Sequence, residues 1–273
     1  MRESGREVKT DQADRFSRVF DVLELLVGHP EGMTVTEVSK RLDLPTSSTH
    51  NLLQRMVGAD VVVMSEDLRY SIGPRAVRLA IRTVDGLEVR SVALRYLEEL
   101  ARETGEDVYL AVRIGRRVVY VERLPGTRTV TVHIRLGQPL YLHATAAGKL
   151  FAAHHPQLHQ QLLSGPRPRL TERTLVEPAD LERELGDIRA RGYSISREEA
   201  IPGIVGLAIP VYDAYGTLAA AIHVSALKAD LAPGQEQDIL AAARHAAALI
   251  EAELGRQPAP SERSHGSKAT PPN

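Results

Sequence analysis

Val35-Thr36-Glu37-Val38-Ser39-Lys40-Arg41-Leu42, the break Asp43-Leu44-Pro45-Thr46, and the run from Ser47-Ser48-Thr49-His50-Asn51 to Ala59 decide how this chain reads. Their spacing predicts a short helix, a tight turn and a second helix. Behind them, Val61-Val62-Val63-Met64 and Arg69-Tyr70-Ser71-Ile72 flank Ser65-Glu66-Asp67-Leu68, the pattern of a β-hairpin. Helix, turn, helix and hairpin in that order make a winged helix-turn-helix, whose second helix enters the DNA major groove.

Within the second helix, Thr49, Leu52, Leu53 and Met56 follow the three-and-four spacing of a buried stripe. The opposite stripe is Ser47, His50, Asn51 and Gln54, with Arg55 beside it, and every member can hydrogen-bond. Asn and Gln match the donor and acceptor pair of adenine, and Arg the two acceptors of guanine. Thr46, Ser47 and Ser48 crowd the helix start, where free amides and the positive end of the helix dipole suit a phosphate. The plainer alternative is a solvated amphipathic helix with a hydroxyl cap. The neighbouring helix, turn and hairpin favour DNA. Further phosphate contacts are expected from Arg15, Arg18, Lys40 and, in the wing, Arg69.

The chain has 273 residues, 43% hydrophobic and 25% charged, an ordinary globular composition with room for two domains. No run approaches the ~20 apolar residues of a membrane span. The charged start Met1-Arg2-Glu3-Ser4-Gly5-Arg6-Glu7 lacks the apolar core of a secretion signal. Cysteine is absent, which excludes disulfides, thiolate metal sites and cysteine nucleophiles. A cytoplasmic location is the resulting expectation. A net charge of −1 means that phosphate contacts are local, so binding as a dimer or higher oligomer is expected.

Working outward, residues 1–12 are polar without periodicity and read as unstructured, and a helix is expected over 15–27. The expected organisation is a winged helix-turn-helix domain over 13–73, a linker helix over 74–90 with one apolar face, a larger domain over 91–255 and a disordered tail over 256–273. In the larger domain helices are expected over 92–104, 143–154, 177–191 and 235–254, and strands over 108–114, 118–124, 129–136, 193–196, 207–212 and 218–224. Helices beside an antiparallel sheet place the chain in the α+β class.

Several separated segments then carry a family resemblance. Val22-Leu23-Glu24-Leu25-Leu26, Leu44-Pro45, Leu52-Leu53 and Tyr70-Ser71-Ile72-Gly73-Pro74 lie in the first half. The second half has Leu142-His143-Ala144-Thr145-Ala146-Ala147-Gly148-Lys149, Arg191-Gly192-Tyr193, the run from Gly203 to Val211, and Ala220-Ala221-Ile222-His223-Val224-Ser225. In order and spacing these resemble the IclR family of bacterial transcription regulators. The resemblance implies a GAF-like domain that binds a small organic or aromatic acid and adjusts DNA binding or contact with RNA polymerase. By position it implies an effector site at Tyr141, Leu142, Ala144, Ala146, Ser196, Gly206, His223 and Ser225. Implied partners are double-stranded promoter DNA, the effector and further copies of the chain, with no cofactor and no membrane. Three positions depart from the family pattern. Asn51 stands where arginine is common, Gly206 replaces a frequent cysteine and so enlarges or dries that corner, and Tyr141 replaces a common proline. His223 and Ser225 lie two apart on a strand and share a face, which would suit a carboxylate or phenol. A satisfied core histidine is the plainer reading of His223.

Catalytic readings are weak. Ala147-Gly148-Lys149-Leu150 lacks the glycine and the hydroxyl of a phosphate loop. His154, His155 and His159 are interrupted by Pro156 and read as a polar cluster rather than a metal site. Glu198-Glu199 on a strand would point to opposite faces. A metabolic enzyme using the α+β domain remains the rival reading, and an architectural DNA-binding protein without a ligand is a third.

Overall fold

The structure is a computed structural model that describes residues 4–128 and 134–255. The chain divides into two compact units between Gly86 and Leu87. The first contains α1 (Ser4–Val27), α2 (Val35–Leu42), α3 (Thr46–Gly58), β1 (Val62–Met64), β2 (Tyr70–Ile72) and α4 (Pro74–Asp85). α1 begins at Ser4, earlier than the apolar periodicity indicates. Glu, Lys, Gln and Ala in that stretch favour a helix by propensity.

Local chemistry fixes each boundary of the helix-turn-helix. Thr34 and Glu37 form a reciprocal capping box, with Thr34 N donating to the Glu37 carboxylate at 2.7 Å. Asp43 closes α2 in the left-handed region at φ 52°, and Ser39 Oγ donates to Leu44 O at 2.7 Å across the turn. Val22, Leu26, Val38, Leu53, Met56, Val62 and Tyr70 form the core. Leu53 is fully buried, and its transfer from water contributes about 1.5–3 kcal/mol. The wing is tied down where Tyr70 and Met33 exchange backbone hydrogen bonds at 2.7 and 2.9 Å. α4 buries none of its side chains and leaves Val77, Leu79 and Ile81 exposed.

The second unit contains α5 (Glu88–Thr104), β3 (Asp107–Ile114), β4 (Arg117–Leu124), α6 (Ala146–His154), α7 (Pro156–Ser164), α8 (Pro178–Arg191), β5 (Ser194–Arg197), β6 (Ile204–Tyr212), β7 (Leu218–Leu227) and α9 (Gln235–Glu253). Among the described residues its strands form an antiparallel sheet of order β4-β3-β7-β6-β5. α5 and α9 pack on one face, and α6, α7 and α8 on the other. Because both faces are covered, β3 and β6 read as continuous apolar runs rather than alternating ones.

Four expectations are corrected or left open here. The helix expected over 143–154 begins only at Ala146, because Thr145 is its cap and accepts from Gly148 N at 3.1 Å. Pro156, read as a break, opens α7 at the first helical position, where its missing N–H costs nothing. The strand expected over 129–136 falls largely on 129–133, outside the described residues, and 134–136 form no strand. The tail over 256–273 is also outside them. No helix among the described residues is long and apolar enough to cross a membrane.

Candidate nucleic-acid interface and ligand cavity

In the first unit, α3 buries Thr49, Leu53 and Met56 and half-buries Leu52. Its other side exposes Thr46, Ser47, Ser48, His50, Asn51, Gln54 and Arg55. Pro45 precedes the helix and offers no side-chain cap, so the first amides of α3 meet no capping side chain. Ser48, Asn51 and Arg55 share an open cleft with Arg18 of α1. Lys40 is exposed in the last turn of α2. Gln54 is partly committed, since its amide nitrogen donates to Tyr70 OH at 3.0 Å.

Arg69 of the wing has intramolecular partners as well. Its Nη1 donates to Gly32 O at 3.0 Å and faces Glu37 at 3.5 Å, so the guanidinium braces the α1–α2 loop while the side chain stays exposed. The Thr34 amide and hydroxyl beside Glu37 hold its carboxyl below the usual carboxylate range. The Arg15 side chain lies outside what the structure describes.

In the second unit a cavity of about 350 Å³ opens on the α6 side of the sheet. Its floor is Tyr120, Ser196, Gly206 and His223. The strip from Ile134 to Tyr141 forms one wall, held along β4 by Gly137 N donating to Tyr120 O and Leu140 N to Val118 O, both at 2.8 Å. Thr145, Ala146, Leu170, Ala200, Ile201 and Ile204 complete it. Five of the expected residues meet here: Tyr141, Ala146, Ser196, Gly206 and His223.

Leu142, Ala144 and Ser225 do not line the cavity, and each for a local reason. Leu142 packs into the apolar cluster beneath α6. The Ala144 carbonyl is occupied by Ser196 Oγ, which donates to it at 2.7 Å. Ser225 is buried two pairs further along β7 than His223, between Asp107 and Gly206.

Nor does Gly206 leave an empty corner. A Cβ built there would stand 2.6 Å from Cε1 of His223, so the imidazole fills that space. The ring also packs on Tyr120 and Tyr109, with centroids 5.2 and 5.9 Å away. Its Nδ1 is buried without a hydrogen-bond partner among the described residues, and burial pushes the imidazole down to about 4, leaving it neutral near pH 7. Burial likewise raises the Tyr120 phenol.

Sequence reasoning missed what holds the far wall. Lys149, fully buried, donates from Nζ to both Glu199 carboxylate oxygens at 2.7 and 2.8 Å and to Ile195 O at 3.0 Å. Burial raises the Glu199 carboxyl against the pull of that ammonium. Thr171 and Thr174 hydroxyls donate to the carbonyls of Glu198 and Glu199 at 2.7 and 2.8 Å. Glu198 lies just past β5 at φ 61°, so the Glu198-Glu199 pair is a turn and not a strand edge. A lysine inside the small apolar run of α6 was the available signal, because a charge there requires a buried partner. Gly148 serves close approach, since a Cβ would stand 2.6 Å from Thr145 Oγ1 and 2.9 Å from Tyr141 O. His154, His155 and His159 diverge: His154 meets Tyr212, His155 stacks on Phe151 and His159 meets Glu182.

The profile described as "IclR helix-turn-helix domain" matches residues 17–63, and "Bacterial transcriptional regulator IclR C-terminal" matches 81–252. The chain belongs to the IclR family. It is similar to the glycerol operon regulatory protein of Streptomyces griseus, at 32% identity over 87% of this chain and 95% of that one. It is also similar to the HTH-type transcriptional repressor AllR of Klebsiella pneumoniae, at 31% over 90% and 92%. Among solved structures, an IclR homolog from Microbacterium hydrocarbonoxydans complexed with 4-hydroxybenzoate superposes with a TM-score of 0.77, at 27% identity over 88% of this chain and 99% of that one. The protein is a DNA-binding, ligand-responsive transcriptional regulator. The rival reading as a metabolic enzyme finds no support, because these relatives are regulators.

Proposed function

We propose that the exposed stripe of α3 reads bases in promoter DNA and that the cavity of the second unit holds the effector, a small organic or aromatic acid. The observation that carries the effector reading is a largely apolar cavity of about 350 Å³ floored by His223, whose buried Nδ1 has no hydrogen-bond partner among the described residues. A buried polar group left without a partner is rare unless something external supplies one. Asn51 and Arg55 are the base readers, flanked by His50 and Gln54. Arg18, Lys40 and the uncapped amides at Thr46, Ser47 and Ser48 take phosphates. The controlled genes form a catabolic operon and the protein works in the cytoplasm, where its promoter lies.

A second copy of the chain is the partner for the apolar side chains that α4 and α1 expose, Val77, Leu79, Ile81, Phe16 and Phe20. Pairing suits a chain of near-zero net charge, since two recognition helices double the specific contacts. The test is a fluorescence titration of the chain's own upstream DNA at low salt, with and without small organic acids. Specific binding that an acid shifts is the expected result. Equal affinity for upstream and random DNA would overturn the reading.

A further inference from the structure

This inference rests on the effector reading and adds the chemical class and orientation of the ligand. The cavity is graded from neutral to cationic. At its buried end lie His223 and Tyr120, 4% and 1% exposed, with Ser196 beside them. The hydroxyl hydrogen of Ser196 is given to Ala144 O, so it presents only lone pairs to a ligand. The imidazole is wedged against Gly206 and packed on two tyrosine rings, with no charged group among those neighbours. A carboxylate at this end would lose its water and find no cation.

The rim is different. Arg135 and Gln138 line it and are exposed, and among the described residues Arg135 has no ion-pair partner. The guanidinium is a ready partner for a carboxylate that remains partly hydrated. A hydroxyl, which both donates and accepts, suits the buried end whichever tautomer the imidazole holds.

We propose that Gly206 and His223 act as one specificity element that admits an uncharged hydroxyl, so that the effector is a hydroxy acid bound with its hydroxyl at His223 and Tyr120 and its carboxylate at Arg135. Glycine at 206 is what allows this, since any larger residue would drive the imidazole off the floor.

The experiment titrates the full chain with 4-hydroxybenzoate, benzoate and 4-hydroxybenzyl alcohol by calorimetry. The hydroxy acid binds about tenfold tighter than either analogue, the size of effect expected for one hydrogen bond or ion pair. Arg135→Gln abolishes the preference over the alcohol and keeps that over benzoate, while Arg135→Lys restores much of it. His223→Asn and Gly206→Ala lower the preference over benzoate instead. An independent readout needs no variant: imidazole ¹⁵N shifts of His223 remain those of a neutral ring in the complex. An imidazolium signature there, or loss of the acid preference through His223→Asn instead of Arg135→Gln, reverses the orientation and overturns the proposal while the effector reading stands. If neither these three compounds nor 6-hydroxyhexanoate, hexanoate and hexane-1,6-diol bind at millimolar concentration, both fall together.

Discussion

α3 and the cavity of the second unit each set a few polar groups against an apolar frame, but they gather those groups over very different chain lengths. α3 carries its whole outward stripe within the 13 residues Thr46–Gly58, and the helical repeat alone places them side by side. The cavity draws Tyr120, Arg135, Tyr141, Ser196, Gly206 and His223 from strands and loops spread over most of the second unit. Side chains on the exposed face of α3 can therefore be changed one at a time with local consequences. In the cavity, each residue depends on the packing that brings it to the others.

The sharpest break of that contrast is at Lys149. Lys149→Met leaves the Glu199 carboxylate buried without its cation and should cost about 3–5 kcal/mol, read as a lower urea midpoint for the second unit. Adding Glu199→Leu should return most of the loss. An unchanged midpoint in the single variant would mean that the far wall of the cavity does not depend on the pair.

Acid should distinguish the two regions next. His223 titrates near 4 when folded, against 6.5 for an unperturbed imidazole. A lowered value means that the unfolded chain binds the proton first. The contribution is therefore intact above pH 6.5, is lost as pH falls toward 4, and amounts to about 3 kcal/mol in full. His223→Asn should remove that component from a stability profile measured between pH 7 and 4. Parallel profiles for the two proteins would contradict the buried neutral ring.

On the DNA side, Asn51→Ala and Arg55→Ala should each weaken specific binding by roughly 1–3 kcal/mol and relax base preference, with folding unchanged. Equal losses on specific and random DNA would show that this stripe does not read bases. The smallest effect is expected at Arg69. Arg69→Ala should lower the stability of the first unit by about 1 kcal/mol, through the lost bond to Gly32 O, and leave the salt dependence of DNA binding as it was. A shallower salt slope would return Arg69 to the phosphate contacts.

Much of this was legible because it is periodic or local. The buried and exposed stripes of α3, the turn at Asp43 and Pro45, and most strands of the second sheet follow from spacing and turn chemistry. Pairing of residues distant in the chain was not legible. Leu142, Ala144 and Ser225 adjoin motif residues that do reach the cavity, yet Leu142 packs beneath α6, the Ala144 carbonyl accepts from Ser196, and Ser225 stays buried between Asp107 and Gly206. Conversely, Ile134, Arg135 and Gln138 enter it only because their strip runs along β4. Arg69 shows the same limit within the first unit, where a basic side chain on a hairpin folds back onto a carbonyl 37 positions away in sequence.

By itself, then, the sequence determined most of the helices and strands, the α+β class and the polar stripe of α3, since each depends on residues a few positions apart. The tertiary structure decided which side chains face the cavity, that Gly206 holds space for an imidazole, that Lys149 is buried against Glu199, and that Arg69 is a brace. The physical reason is one of range. Helical and strand periodicity are properties of a backbone segment, whereas burial, desolvation and the partner of a charge are set by whatever the fold brings within a few ångströms.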